Sequence, residues 1–413
     1  MGPTEDFERR IIESDYTQYE DKATNEAVGE QILEFTRMIL AQSKDVQSLF
    51  LLGGYGRGEG SVLRSHEKIT PLGDYDFLLI SRYPHRTFRV VGIEDLRRKF
   101  SVQYHVGVDN VWLPLLRFLG KRIYWYEAKF GSKFLFGDDK VLDSIPIHAG
   151  NELDIREGFS LLFNRLVGLE MVFDPSLVKS IPSEEQKRHL VFQSIKAILA
   201  CGESLLLLYG KYHFSYKRRC EEFEEASEHE FPEILQASPN LKSDYVLATR
   251  FKLRPSFDMY NDPVKLWFVA RNHTLQTLGF YLGKALCMWH NSSEPASSIL
   301  TVDSFPRVYL KNGKPEILDF LTFSWNLHRR LKSFSNLLKI RKSFSDIVRV
   351  SLYHLAISIE EDGDIKTECL ENALSTLSLI IPTEKKNKTK KDLISEWRSV
   401  RDKVVATWRL CRP

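Results

Sequence analysis

LFLLGGYGRGEGSVLRSHEKITPLGDYDFLLIS, residues 49–81, carries the pattern that decides the fold. The apolar run from Val46 to Leu52 reads as a buried strand and ends on the pair Gly53-Gly54, followed by Gly56, Gly58 and Gly60. Glycines at a strand exit let the backbone turn sharply and approach a ligand closely. A helix starting there would offer its first free N–H groups to an anion, and Arg57 would add a charge-assisted contact to phosphate. Tyr75 to Ile80 reads as a second apolar strand, with Asp74 and Asp76 at its entry. Residues two apart on a strand share a face, and two carboxylates held together repel unless a cation lies between them. Mg²⁺ prefers carboxylate oxygens combined with substrate phosphates. A glycine turn for a triphosphate beside a carboxylate pair for the metal is what two-metal phosphoryl chemistry requires. The turn is not a P-loop, because no GK[ST] follows, and it lacks the GxGxxG spacing of a dinucleotide fingerprint.

Around this segment the patterning alternates. Glu30 to Leu40 has the spacing of an amphipathic helix, Ile93 to Phe100 of a short helix, and Val102 to Trp112 the composition of a third strand. Strands separated by helices imply an α/β layer, a small mixed sheet with flanking helices. From Asp154 onward apolar residues recur at helical spacing: Ile155, Phe159, Leu162, Leu166 and Leu169, then Leu190, Ile195, Ile198 and Leu205. Further helical patterns cover 264–290, 319–338, 344–360 and 392–410. The expected organisation is an α/β domain over 1–148, an all-α domain over 149–290, and a C-terminal helical region over 291–413. A Ser/Pro-rich break lies at Asn291–Ser298, and Glu384–Lys391 (EKKNKTKK) reads as a solvated basic loop.

Composition narrows the function classes. The 58 basic and 55 acidic residues leave a net charge of +3, too small for coating long nucleic acid. Cys201, Cys220, Cys287, Cys369 and Cys411 are odd in number and form no CxxC pair, so neither a disulfide scaffold nor a zinc site is expected. The acidic, polar N-terminus is no signal peptide, and no membrane partner is expected. The cytoplasm is the expected location.

The order of apolar strand, Gly-Gly and Asp-x-Asp on an apolar strand resembles the signature of the DNA polymerase β-like nucleotidyltransferases. The string GGYGRGE, Gly53 to Glu59, is similar to that of the nitrogen-regulatory protein uridylyltransferases. The resemblance covers residues 45–140. It implies catalysis with two Mg²⁺ ions, or Mn²⁺, and an NTP as substrate. It also implies a third carboxylate on a neighbouring strand that serves the catalytic metal and activates the attacking hydroxyl. Asp109 is the best match and Glu127 the alternative; Asp138 and Asp139 read as loop. The 19 residues between Gly54 and Asp74 exceed the family's usual spacing, so a loop inserted around Arg64–Leu72 is expected near the site.

The resemblance further implies a helical domain that closes over the nucleotide, with polar residues inside apolar helices as its contacts. Asn164, Arg165 and Lys196 interrupt such helices. Lys196 either snorkels to solvent or reaches phosphate. Ser215, Tyr216, Lys217, Arg218 and Arg219 form a basic cluster that either grips phosphate or acceptor, or is an exposed loop. The aromatics Phe320, Phe323, Trp325 and Phe334, near Arg329, Arg330 and Lys332, read as core, with a stacking surface for nucleic acid as the other reading. The expectation is therefore a nucleotidyltransferase that moves an NMP from an NTP to a protein or small-molecule hydroxyl. Its metal ligands are Asp74, Asp76 and Asp109, and its nucleotide contacts are Gly53, Gly54, Arg57, Asn164, Lys196 and Tyr216. An oligonucleotide or cyclic-nucleotide synthase, and an inactive nucleotide-binding scaffold, are the alternatives.

Overall fold

The structure, a computed structural model, describes residues 3–43, 45–64, 69–84, 90–100, 102, 105–290, 305–312, 344–381 and 392–411. The readings at Asn291–Ser298, 319–338 with its aromatic and basic residues, and Glu384–Lys391 lie outside them. The chain is mixed α/β and predominantly helical. It divides into two compact units: Met1–Glu157 with Leu206–Glu230 and Lys242–Ser256, and Gly158–Leu205 with Phe231–Leu241 and Phe257–Pro413. Each unit draws on three separate stretches, so the division does not follow the expected boundaries at 148 and 290.

In chain order the first unit begins with α1 (Pro3–Ile12), α2 (Lys22–Gln42) and β1 (Val46–Leu51). The one-turn α3 (Gly53–Gly56), β2 (Val62–Arg64), β3 (Ile69–Pro71) and β4 (Tyr75–Ser81) follow. Next come α4 (Ile93–Lys99), β5 (Val106–Trp112), α5 (Ile123–Gly131) and β6 (Lys133–Gly137). The four-stranded sheet has the order β5-β4-β1-β6. β1 is antiparallel to β4 and β6, and β4 is parallel to β5. Within this unit the three expected strands and the helices expected over Glu30–Leu40 and Ile93–Phe100 appear. The insertion after the glycines contains the antiparallel ribbon β2–β3, which the composition did not suggest.

Alternation gives the sheet two faces. Leu49, Leu51, Tyr75, Phe77, Leu79 and Val106 pack with Val28, Ile32, Phe35 and Ile39 of α2. Phe50, Leu52, Leu78 and Ile80 pack on the other side with Leu116, Tyr126 and Leu142. Asp76 falls on this second face, at the end of β4 where the hydrophobic run begins. α2 is started by Asp21, whose side chain accepts a hydrogen bond from Thr24 N, satisfying one orphan donor of the first turn.

The first unit is completed by segments far along the chain: α8 (Tyr216–Glu230) and nearly all of α10 (Leu241–Leu253). The second unit contains most of α6 (Arg156–Val172) and α7 (Glu184–Leu208), with α9 (Pro232–Ala237) and α11 (Pro263–His290). It also holds α12 (Phe305–Asn312), α13 (Phe344–Ile357), α14 (Thr367–Leu377) and α15 (Leu393–Leu410). α7 is long and apolar enough to cross a membrane, but 89% of its apolar window is buried inside the protein, as befits a core helix.

The centre of the second unit is aromatic. Phe173 stacks on Trp267 at 3.7 Å between ring centroids, and Trp267 Nε1 donates to Leu169 O at 2.9 Å. Beside them lies Glu170, fully buried, both carboxylate oxygens without a hydrogen-bond partner among the described residues. Burial pushes its pKa up to about 8, against the opposing pull of Arg271 and Arg401. The unfolded chain therefore releases this proton near the ordinary value of 4.5 while the folded chain holds it to about 8. Folding stability falls as pH rises between those values and levels off above them. Glu170→Gln removes that dependence. Melting curves should show the variant gaining over the parent from about pH 5 to pH 8, on the order of 3 kcal/mol at the upper end. A constant difference across that range would refute the buried neutral acid.

Candidate active site

Two glycines make room for the Asp76 carboxylate. Its register partner on β5 is Gly107. A Cβ built on Gly107 would stand 3.3 Å from Asp76 Oδ1, and one built on Gly53 would stand 3.3 Å from Asp76 Oδ2. The carboxylate thus sits in a cradle that any larger residue on either side would fill. Gly53 has φ +66°, a conformation that L-residues rarely adopt. β1 delivers Gly53 to this spot because Leu52 N donates to Asp76 O at 2.7 Å, which locks the turn to the entry of β4. Gly53→Ala is expected to cost about 1–2 kcal/mol in backbone strain and to weaken metal-dependent NTP binding. Calorimetric titration and thermal melts check both. Binding as tight as in the parent would remove the cradle from the argument.

Asp109 lies two residues beyond Gly107 on β5 and shares the face of Asp76 by alternation. The premise that an apolar strand buries it does not hold: β5 is an edge strand and Asp109 is exposed. Its partner is a tyrosine that the sequence did not single out. Tyr124 Oη donates to Asp109 Oδ2 at 2.5 Å. Burial, then the hydrogen bond and charge of Asp109, then the charge of Asp76, hold the Tyr124 hydroxyl well above the ordinary phenol range. One hydroxyl therefore feels both carboxylates.

Asp74 stands just before β4, and its Oδ1 accepts from His105 N at 3.0 Å. The His105 ring lies 3.4 Å from the same Gly107 Cβ position that Asp76 approaches. Among the described residues no group of three or more His, Cys, Asp and Glu side chains is placed to hold a metal ion. Asp74 and Asp109 each have a partner of their own, a backbone N–H and a phenol. Like charges repel without a cation between them. The donors are nonetheless all oxygen, the set that a hard cation prefers, and the glycine cradle leaves space at Asp76.

The glycine turn closes on itself from Gly56 onward. α3 is a single turn, and the amides of Gly56, Arg57, Gly58 and Glu59 donate to Leu52, Gly53, Tyr55 and Gly54 carbonyls. Arg57 is held by two carboxylates. Its side chain is 3% exposed and pairs with Glu127 at 2.9 Å and Glu59 at 3.5 Å. Glu127, the alternative third ligand, is likewise committed. It accepts from Arg57 Nη1, Arg219 Nη1 at 3.0 Å and Tyr212 Oη at 2.7 Å. Burial raises its pKa, but the two guanidiniums outweigh that and hold the carboxyl below its ordinary range. Asp138 and Asp139 follow β6 in an exposed loop, as expected.

Glu59, the last residue of GGYGRGE, is 2% exposed and caps α8. Its carboxylate accepts from Ser215 Oγ, Tyr216 N and Lys217 N at 2.7, 2.8 and 3.1 Å. A carboxylate there satisfies first-turn donors and opposes the helix dipole. The cluster at 215–219 is therefore not simply an exposed basic loop: Arg219 is buried, and the Tyr216 ring is bordered by Arg57, Arg219 and Lys252. Lys252 Nζ also lies 4.0 Å from the Cβ position of Gly73, next to Asp74. This cation beside Gly73 was not anticipated, because nothing local distinguishes it within α10. Asn164 and Lys196 lie on α6 and α7 in the second unit, and the Lys196 ammonium rests 4.3 Å from the Phe192 ring centroid.

No protein-family model matches the chain, and no curated protein matches it.

Proposed function

We propose that the chain is a metal-dependent nucleotidyltransferase. It moves a nucleoside monophosphate from an NTP to a hydroxyl of a protein or small-molecule acceptor and releases pyrophosphate. The observation that carries the reading is the Asp76 carboxylate, cradled between Gly53 and Gly107, with Asp109 on the same sheet face. In this reading the α/β unit is the catalytic module. Asp74, Asp76 and Asp109 would hold Mg²⁺ or Mn²⁺. Bound metal would supply charge neutralisation at the α-phosphate. The glycine turn lets the triphosphate approach the backbone closely, and Lys252 places a positive charge on that side. Asp109 accepts the proton of the attacking hydroxyl, whose oxygen displaces pyrophosphate in line.

The test uses the whole chain with each of four α-labelled NTPs, with Mg²⁺ or EDTA, with and without cell extract. The expected result is metal-dependent label on one class of acceptor and matching pyrophosphate release. NTP with Mg²⁺ should also raise the melting temperature; at a hundred times Kd the stabilisation is about 2.7 kcal/mol. An equal rise with EDTA would argue against a metal-bridged triphosphate. A second reading is a nucleotide-binding regulator without turnover, favoured by the exposed, edge-strand position of Asp109. Metal-dependent binding without pyrophosphate release would select it.

A further inference from the structure

We propose that Tyr124 is itself an acceptor, so that the chain nucleotidylates its own phenol; this rests on the transferase reading above. An acceptor in this chemistry must bring a hydroxyl to the carboxylate that takes its proton, on the face where Asp76 stands. Tyr124 does so in the structure: its Oη donates to Asp109 Oδ2 at 2.5 Å. Asp109 shares the sheet face of Asp76, whose register partner Gly107 lies two residues before it. The position is fixed rather than incidental. Tyr124 is the second residue of α5, and Glu157 pins the start of that helix by accepting from Ile123 N at 3.3 Å and Arg122 Nε at 3.2 Å. Tyr124 is 37% exposed, whereas its neighbour Tyr126 is 5% exposed and belongs to the sheet core.

The step balances with an NTP as the only co-reactant. Tyr124 Oη bonds to the α-phosphorus while the bond from that phosphorus to the bridging oxygen breaks. Pyrophosphate leaves with the bonding electron pair, and the phenol proton passes to Asp109. The product is a phosphodiester between the tyrosine and a nucleoside. It ends the hydrogen bond from Tyr124 to Asp109 and leaves a nucleotide standing in the site, so the modified chain is a blocked one.

The experiment incubates the pure full-length chain with each NTP and Mg²⁺ and maps the products by tryptic mass spectrometry. The expected result is a gain of one nucleoside monophosphate, approaching one per chain, on the peptide Ile123–Lys129, assigned by fragmentation to Tyr124. EDTA, Asp109→Asn and Tyr124→Phe should each abolish it. Tyr83 serves as a control for indiscriminate chemistry, since it is 62% exposed and lies away from these carboxylates in sequence; it should stay unmodified. Mn²⁺ binding, read from the electron paramagnetic resonance of the free ion, should persist in Tyr124→Phe and show that its site is folded. Pyrophosphate release to an added acceptor with Tyr124 unmodified overturns this proposal alone. Label retained in Tyr124→Phe at the same stoichiometry does the same. No Mn²⁺ binding and no NTP consumption by the parent chain overturns the transferase reading and this proposal together.

Discussion

Asp76→Asn is expected to lower NTP-dependent transfer about a thousandfold or more, a loss of about 4 kcal/mol in transition-state stabilisation. The fold should survive it. Asp76 is only half-buried, at the entry of β4, and asparagine fills the same cradle between Gly53 and Gly107 without a new contact. Losing one of two like charges that act on the same phenol removes repulsion from the metal-free protein, so its melting temperature should hold or rise slightly. Initial rates of pyrophosphate release, Mn²⁺ binding and a thermal melt give the three readouts. Rates within tenfold of the parent would end the assignment of Asp76 to the metal. A collapsed melt would instead assign it to the sheet.

The second large effect concerns stability. Glu127→Ala leaves Arg57 and Arg219 buried together, with their shared carboxylate gone. Breaking a buried ion pair by removing one partner costs about 3–5 kcal/mol, because the orphaned charge stays desolvated. For a unit of this size that is a fall of about 10 °C in melting temperature. The pH profile carries the same signature. The folded Glu127 carboxyl sits below its ordinary range, so its contribution is present above the unfolded pKa and is lost as pH falls through the folded one. Parent and variant melts should therefore converge in acid. A deficit under about 1 kcal/mol at neutral pH, the range of a surface pair, would show that the guanidiniums find other partners.

The strand, glycine turn and Asp-x-Asp entry were legible because each is a local pattern: a period of two, a backbone requirement, and residues on one strand. The same patterns located α2, α4 and the helical segments. β6 was missed because KFLFG is five residues long and follows a helix directly, too short for alternation to register. The site was legible in part. Arg57 beside glycines invites a phosphate, but its partner lies 70 residues away on α5, where no periodicity points. Glu59 and Ser215 are 156 residues apart, and Ser61 Oγ meets Lys252 O across 191. Tyr124 was passed over for a simpler reason: in Tyr124-Trp125-Tyr126 the aromatic run reads as core, and only the helix register shows which ring faces Asp109.

The carboxylate of Glu59 also sets a clock. During synthesis the glycine turn, Arg57 and Glu127 leave the ribosome long before Ser215, Tyr216 and Arg219 exist to meet them. At roughly 5–20 residues per second, the 156 residues from Glu59 to Ser215 take roughly 8–30 s to appear. Throughout that interval the nascent sheet carries acidic and basic side chains that have no burial to go to, and its fold waits on chain not yet made. Cutting the gene after residue 148 would make that interval permanent. The piece obtained would hold the whole glycine and carboxylate signature, yet lack the helix whose first turn Glu59 closes. A piece meant to fold would instead be a graft, with residues 206–230 and 242–256 rejoined to the sheet.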